Sequence, residues 1–357
     1  MSEARWAEHD TSPERIEAAL RELLRVAHAE DGTLVPARVL NLVVIADREW
    51  RGEVINRLER VGRSHPSRTI LCTVRDGSRT IDASATVHGE VPQGGARVGV
   101  LHESVELTVG PAHLGRIDTV IDPLLVTELP TVLWSPHSFD EAVEAMLPVA
   151  DVILIDTDDP VYFDGPGAGL ARAAALAESN VTVVDLAWLR TIAWRERLAG
   201  SFSDPSRMGM LDGLRRVYVR HHHGSIVSAL LLVGWLGTRL GWSPGELDPA
   251  PGGVRRASAA RNGGGASVSI EFDPVAQSIR GLAGVTVSGA GGFSLSLDRA
   301  PGGLIAREQG AGVKPRQWQL FGASRGEGGI LGEGVRQALI RDHTYEPALR
   351  AARSFSP

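Results

Sequence analysis

What most constrains this chain is the regular exchange, over its first half, of short apolar runs for amphipathic stretches. Val39–Ala46, Thr69–Val74, Thr131–Trp134, Val152–Ile155 and Val181–Val184 are each four to eight residues long and almost wholly apolar. A strand reads this way when both of its faces are buried, the situation of a parallel sheet covered on two sides. Between them, Arg48–Arg63 places Val54, Leu58 and Val61 on one helical face, and Phe139–Leu147 and Leu170–Glu178 are further helical stretches. Thr80–Val87 and Arg97–Val109 are strand-like, and Ile117–Val126 reads as a helix. Strands that alternate with helices predict right-handed βαβ units and a mainly parallel α/β sheet domain.

The pattern changes after Pro205. Leu214–Arg220 reads as a strand and Ile226–Leu240 as a strongly apolar helix. Short segments follow at Val254–Ala259, Ala266–Phe272, Ser278–Val287, Phe293–Leu297 and Leu304–Arg307. Asn262-Gly263-Gly264-Gly265 and Gly289-Ala290-Gly291-Gly292 between them are hairpin signals. Two helices, near Gly328–Ile340 and Tyr345–Ala352, close the chain. These features predict a C-terminal α+β domain with an antiparallel sheet. Ahead of both, Ser12 and Pro13 open a helix with Ile16, Leu20, Leu23 and Ala27 on one face, which either packs on the next domain or serves as a docking arm. The expected division of the 357 residues is therefore an N-terminal amphipathic helix (1–35), an α/β domain (36–204) and an α+β domain (205–357).

Composition narrows the function. A net charge of −6 offers no basic field for nucleic acid or an anionic membrane, and Lys314 is the only lysine, which removes most lysine chemistry. Cys72 is the only cysteine, so no internal disulfide forms. The start of the chain lacks the basic and apolar regions of a secretory leader, and the longest apolar run, Ile226–Leu236, is too short to span a bilayer. A cytoplasmic location is expected.

Asp185–Pro205 is the stretch with the most distinctive chemistry. Asp185 reads as an N-cap and Ser203-Asp204-Pro205 as a stop. On a continuous helix, Trp188, Ile192, Ala199 and Phe202 share an apolar face into which Arg195 also falls, while Arg190, Trp194 and Arg197 form a separate stripe. Two readings of that stripe stand. It is either a binding surface, since Trp and Arg are enriched at interface hot spots, or core tryptophan with snorkelling arginines.

Other constellations have weaker signatures. Asp156-Thr157-Asp158-Asp159 follows an apolar strand, where α/β enzymes place nucleophiles and metal ligands, and it equally suits an aspartate turn. Pro160 and the lack of a following lysine in this domain depart from the haloacid-dehalogenase pattern. Gly165-Pro166-Gly167-Ala168-Gly169-Leu170 fails as a dinucleotide fingerprint at Leu170, and His221-His222-His223 alternates faces on a strand. No P-loop, G-x-S-x-G or H-E-x-x-H motif is present, and neither a cofactor nor a metal is expected.

The pattern D-L-A-W-x-R-x-x-x-W-R-x-x-L-A from Asp185 to Ala199 resembles the signature of the glucose-6-phosphate dehydrogenase assembly proteins, the OpcA family. Further family-like blocks are Val39–Val44, His65-Pro66-Ser67-Arg68-Thr69-Ile70, the helix Leu231–Trp242 with Trp235, Arg239 and Trp242, and Ile330–Glu333 through Tyr345–Leu349. The resemblance implies a non-catalytic regulatory or assembly partner of glucose-6-phosphate dehydrogenase, an allosteric activator in the oxidative pentose phosphate pathway. It makes Arg190, Trp194 and Arg197 candidates for partner binding, and Asp185, Trp188, Arg195, Trp235, Arg239 and Trp242 candidates for structural roles. Some members of that family are thought to convey thiol redox state. The alternative is an α/β enzyme or small-ligand sensor that uses the strand ends near Ser135–His137 and the carboxylates of Asp156, Asp158 and Asp159.

Overall fold

The structure, a computed structural model, describes residues 3–62, 65–90, 99–137, 139–159, 163–264, 266–310, 312–321, 327–338 and 340–355. Pro160 of the acidic run and Gly265 of the first hairpin signal lie outside the described residues. Contacts divide the chain into two units. Unit 1 comprises 1–155, 179–184 and 335–340, and unit 2 comprises 156–178, 185–334 and 341–357. The division after Ile155 lies well before the expected one at 204/205. The physical reason is that the segments around the Asp185 motif pack with the long apolar helix of unit 2, as described below.

In unit 1 the elements run β1 (Glu3–Glu8), α1 (Pro13–Glu30), β2 (Leu34–Pro36), β3 (Leu40–Asp47), α2 (Arg51–Gly62), β4 (Ser67–Val74), β5 (Asp82–Glu90) and β6 (Gly99–Val109). They continue with α3 (Asp118–Ile121), β7 (Thr131–Trp134), α4 (Asp140–Met146), β8 (Val152–Ile155) and β9 (Thr182–Asp185). One sheet takes the order β1-β5-β6-β4-β3-β7-β8-β9, with β2 paired to β6. Its centre is parallel (β6-β4-β3-β7-β8), and the apolar runs form it: β3 is buried from Leu40 to Ala46. The margin β1-β5-β6 is antiparallel. There the burial alternates residue by residue along β6, which gives the sheet one buried and one polar face.

Two features of unit 1 depart from expectation. Strand β1 precedes the expected first helix, while α1 itself lies against β5 with Ile16, Leu20 and Ala27 buried, the packing reading of the two. The stretch expected as helix at Ile117–Val126 is a single turn, α3, between two short 3₁₀ segments. Pro123 supplies no backbone N–H and so cannot extend the helix through this point.

Unit 2 contains α5 (Pro166–Ala177), α6 (Leu186–Leu189), α7 (Ile192–Ser201), α8 (Pro205–Asp212), β10 (Leu214–His222), α9 (Ile226–Leu240), β11 (Trp242–Pro244) and β12 (Asp248–Pro249). It goes on with β13 (Arg255–Arg261), β14 (Val268–Val275), β15 (Leu282–Gly289), β16 (Ser294–Ala300), β17 (Gly303–Gly310) and β18 (Val313–Phe321). Helices α10 (Glu327–Ala338), whose last residues group with unit 1, and α11 (Tyr345–Arg353) complete it. The sheet order is β11-β13-β14-β10-β15-β16-β17-β18, with β12 on β13. All these pairs are antiparallel except β10–β14, whose connection is long enough to carry α9 and the crossover a parallel pair requires. Edge strand β18 is an addition to the expected segments. Its run V-K-P-R-Q-W-Q-L-F is polar and carries Pro315, which a sheet tolerates at an edge.

Helix α9 is the core of unit 2, buried without a break from Val227 to Gly237 and closed by Gly241 in the left-handed conformation. Helices α5, α6 and α11 all pack on it. At Gly234 a Cβ would lie 2.4 Å from the Ala348 carbonyl oxygen, so only glycine lets α11 cross this closely.

Candidate functional site

The Asp185 motif is not one helix. Asp185 caps α6, its carboxylate accepting from the Ala187 N–H at 2.9 Å, but α6 stops at Leu189 and α7 starts at Ile192. The Thr191 hydroxyl donates to the Trp188 carbonyl at 2.7 Å, bonding back into the turn where the helix breaks. The break resets the helical phase and corrects the expected stripe. Arg190 and Trp194 are both buried, Trp194 to 1% exposure, and only Arg197 of the three is half-exposed. On α7 the buried face is Trp194 with Leu198, four residues apart, whereas Ala199 is exposed and Ile192 half-buried.

Trp188 is buried on the other side of the break, and its indole N–H donates to Asp342 Oδ2 at 2.8 Å. The Arg195 guanidinium lies 3.5 Å from the Trp188 ring centroid, its Nε donates to Thr191 Oγ1 at 2.9 Å, and it stands 3.7 Å from Asp342. Burial pushes Arg195 down to about 10, with Asp342 opposing, so it stays charged at neutral pH. Asp342 thus serves a buried indole and a half-buried guanidinium together. Trp235 and Trp242 are buried at α9 and just beyond it, and Arg239 is exposed.

Arg190 turns toward the acidic run. Its Nη1 and Nη2 donate to the two oxygens of Asp156 at 2.7 and 2.8 Å, a bidentate fork. Arg280, between β14 and β15, adds Nη1 to Asp156 at 3.4 Å and donates Nη2 to the Asp158 carbonyl. Asp156 also accepts from the Asp158 N–H at 3.2 Å, the aspartate turn. Burial alone would raise Asp156, but Arg190, by charge and hydrogen bond, and then Arg280 hold it below the ordinary value. Asp159 sits 4.0 Å from Arg280.

Asp158 does a different job. Its Oδ1 accepts from the Ser228 N–H at 3.1 Å and its other oxygen bonds the Ser228 hydroxyl. Ser228 is the third residue of α9, whose own N-cap, Ser225, makes no side-chain cap bond. Asp158 therefore caps α9 from 70 residues away. Burial pushes its carboxyl up to about 6, against the pull of Arg190 and aided by the charge of Asp156. Asp185 is the deepest of the group. Besides Ala187 it accepts from the Thr157 N–H at 3.2 Å, the Thr157 hydroxyl at 2.7 Å and the Tyr345 hydroxyl at 3.1 Å. Burial, aided by the charge of Asp156, pushes it up to about 7 against the donors Thr157 and Ala187.

The carboxylates expected as a possible catalytic cluster are thus consumed in tying together the 156–159 turn, α6, α9, α11 and the Arg280 loop. Chemically the arrangement locks a set of backbone segments in place. Sequence reasoning missed four of its members. Ser228 lies inside an apolar helix, and Asp342 and Arg280 stand in loops where no period marks them. Tyr345 opens one of the family-like blocks and was the one signal available. Gly165 has φ 82° just before α5, and the G-P-G-A-G-L run is a loop and helix start. Of the three histidines, His221 is buried while the rings of His222 and His223 lie 3.9 Å apart.

A family model for the N-terminal domain of a glucose-6-phosphate dehydrogenase subunit matches residues 58–175, and one for the C-terminal domain of that subunit matches 181–349. The "Putative OxPP cycle protein OpcA" of Synechocystis sp. is 26% identical over 246 residues, which cover 68% of this chain and 50% of that one. The protein of the same name from Nostoc punctiforme is 26% identical over 190 residues, 52% of this chain and 40% of its own. The chain spans about half the length of the curated relatives it matches. Among solved structures, an oxidoreductase from Sinorhizobium meliloti is 14% identical with a TM-score of 0.46, covering 88% of this chain and 94% of that one. The super-repressor mutant of Gal80p from Saccharomyces cerevisiae is 10% identical with a TM-score of 0.49, covering 88% and 93%. The Asp185 motif and the closing block that supplies Tyr345 both fall within the second matched region, and with both family domains present in order, the chain belongs to the OpcA family of glucose-6-phosphate dehydrogenase assembly proteins.

Proposed function

We propose that this chain is a non-catalytic, cytoplasmic partner that binds glucose-6-phosphate dehydrogenase and promotes its assembly or activity. The observation that carries the reading, beside the family, is the state of the acidic run. Both oxygens of Asp156 are engaged by Arg190 and both of Asp158 by Ser228, which leaves neither poised as a nucleophile or metal ligand. No helix of the described residues is long and apolar enough to cross a membrane.

An activator works by binding the active conformation of its target more tightly than the inactive one, and each ~1.4 kcal/mol of difference shifts the balance tenfold. With Arg190 and Trp194 buried, the reading gives them the part of holding the scaffold and leaves Arg197 as the accessible member of the three. The deciding experiment mixes this chain with the dehydrogenase of the same genome. Co-elution at micromolar concentration and a rise in apparent substrate affinity or turnover are expected. Separate elution together with unchanged kinetics overturns the proposal.

A further inference from the structure

We infer that unit 1 carries a binding site for an uncharged polyhydroxylated ring compound, a mono- or disaccharide, between helix α2 and the polar face of β4, β5 and β6. A cavity of about 700 Å³ lies there, within the range of small-molecule sites, roughly 300–1,000 Å³. Of α2, Val54 and Val61 are the buried residues. Leu58, between them on the same helical face, and Ile55 beside it stay half-exposed over the strands.

The floor is set by strand register. Thr69 of β4 pairs with Ser104 of β6, and Ser104 pairs with Thr86 of β5, so three hydroxyls stand in one row across three strands. In the next row His88 stands directly opposite His102, and in the row on the other side Leu71 pairs with Glu106. All of these line the cavity. Hydroxyls both donate and accept, and side by side they suit a ligand whose own hydroxyls do the same. The roof is apolar except for Glu59, so the ligand needs one apolar face and polar edges, as a sugar ring has.

Charge excludes the other classes. Among the described residues no lysine or arginine lines the cavity, while Glu59, Glu103 and Glu106 do. A phosphate or carboxylate ligand would therefore meet negative charge with no fixed cation. Glu106 is already engaged by Arg51, whose Nε donates to it at 3.1 Å, so it does not call for a cationic ligand. Thr69 already bonds Ser67 at 3.1 Å, and a wholly apolar ligand would take the Thr86 and Ser104 hydroxyls from water without replacing its bonds, which costs them their solvation.

The test uses the chain alone, so its outcome is separate from dehydrogenase binding. Trehalose and glucose are titrated by calorimetry, with inorganic phosphate as the anionic comparator and Thr86→Val/Ser104→Ala as the variant lacking two floor hydroxyls. Saturable sugar binding, weakened ~10-fold or more in the variant at unchanged melting temperature, is expected, because a site built to hydrogen-bond hydroxyls loses affinity when its own are removed. If the variant fails to fold, amide shift changes on sugar addition, confined to β4–β6 and α2 of the wild type, decide the question instead. No binding of either sugar, equal binding by the variant, or binding of phosphate in their place overturns the inference.

Discussion

Unit 1 and unit 2 each bury arginine on carboxylate, and they do so with different charge balances. In unit 1, Arg68 and Arg38 converge on Glu103, whose side chain is wholly buried, and Arg68 reaches Glu17 of α1 at 3.2 Å and donates to the Leu124 carbonyl at 2.9 Å. Arg38 and Arg68 there meet Glu103 and Glu17, with the exposed Arg21 at 3.4 Å from Glu17 on the outside, and the cluster joins α1, β4, β6 and the approach to β3. In unit 2, Arg190 and Arg280 face Asp156 and Asp158, with Asp185 and Asp159 close by. Carboxylate is in excess, and the hydroxyls of Ser228, Thr157 and Tyr345 supply the missing donors. Matched charge gives a lock that only the loss of a partner breaks. Excess carboxylate gives a lock that also depends on protons.

The largest effect should come from breaking the matched cluster. Glu103→Ala leaves two guanidiniums without their shared partner, and removing one side of a buried ion pair costs ~3–5 kcal/mol. Urea unfolding read on wild type and variant checks this. A loss below ~1 kcal/mol, the scale of surface pairs, would mean that water already serves the cluster. Trp194→Ala tests the scaffold of unit 2 in the same way. At 1% exposure the indole should cost ~3–5 kcal/mol when truncated, seen as a large fall in melting temperature. An unchanged melting temperature with weakened dehydrogenase binding would restore Trp194 as a surface contact.

The contrast between the units also explains what could be read from sequence. The apolar runs of unit 1 announced its parallel strands because a strand buried on both faces has no polar residue to hide. The alternation along β6 places Glu103 on the buried face with Leu101, Val105 and Leu107, but nothing in the sequence names Arg68, 35 residues earlier, as its partner. In unit 2 the motif at Asp185 was legible as a cap, but not the break after Leu189. Thr191, which makes the back-bond there, is an ordinary helix residue on composition alone. A phase carried unbroken past it points Arg190 and Trp194 outward, although both lie inside. The acidic run shows the same limit. Its position at a strand end was clear, and its partners Arg190, Ser228 and Arg280, 34 to 124 residues on, are brought to it only by the fold.

A smaller effect should expose the proton dependence of unit 2. The folded carboxyls of Asp158 and Asp185 sit at about 6 and about 7, above the ordinary 3.8, so between those values the folded chain holds protons that the unfolded chain has released. Their contribution is full below pH ~4 and is lost as pH rises through 6 to 7, which is the opposite of acid denaturation. Asp156, held low by Arg190 and Arg280, contributes in the other direction and weakens as pH falls. Asp185→Asn isolates the first effect, because an amide cannot ionise. Relative to wild type, the variant should gain ~1–2 kcal/mol between pH 5 and pH 8. A stability difference that is flat across that range would show that the four donors around Asp185 keep it ionised throughout.

The smallest effect expected is none, and it concerns Cys72. This thiol lies in β4 two residues beyond Ile70, fully buried among the parallel strands, and burial pushes it up to about 12. The thiolate is the reactive form, so its population at neutral pH is negligible and oxidants have no path to it in the folded state. Cys72 stands in the same strand as Arg68, so any opening that exposed it would also pull at the matched cluster. Labelling by a thiol reagent should therefore be slow in the wild type and should speed up in Glu103→Ala, in step with that variant's lost stability. Treatment with dithiothreitol or peroxide should leave both the melting temperature and the effect on the dehydrogenase unchanged. A reductant-dependent response in the wild type that disappears in Cys72→Ala would show that β4 opens far more readily than its packing implies, and that the matched cluster of unit 1 is the looser of the two.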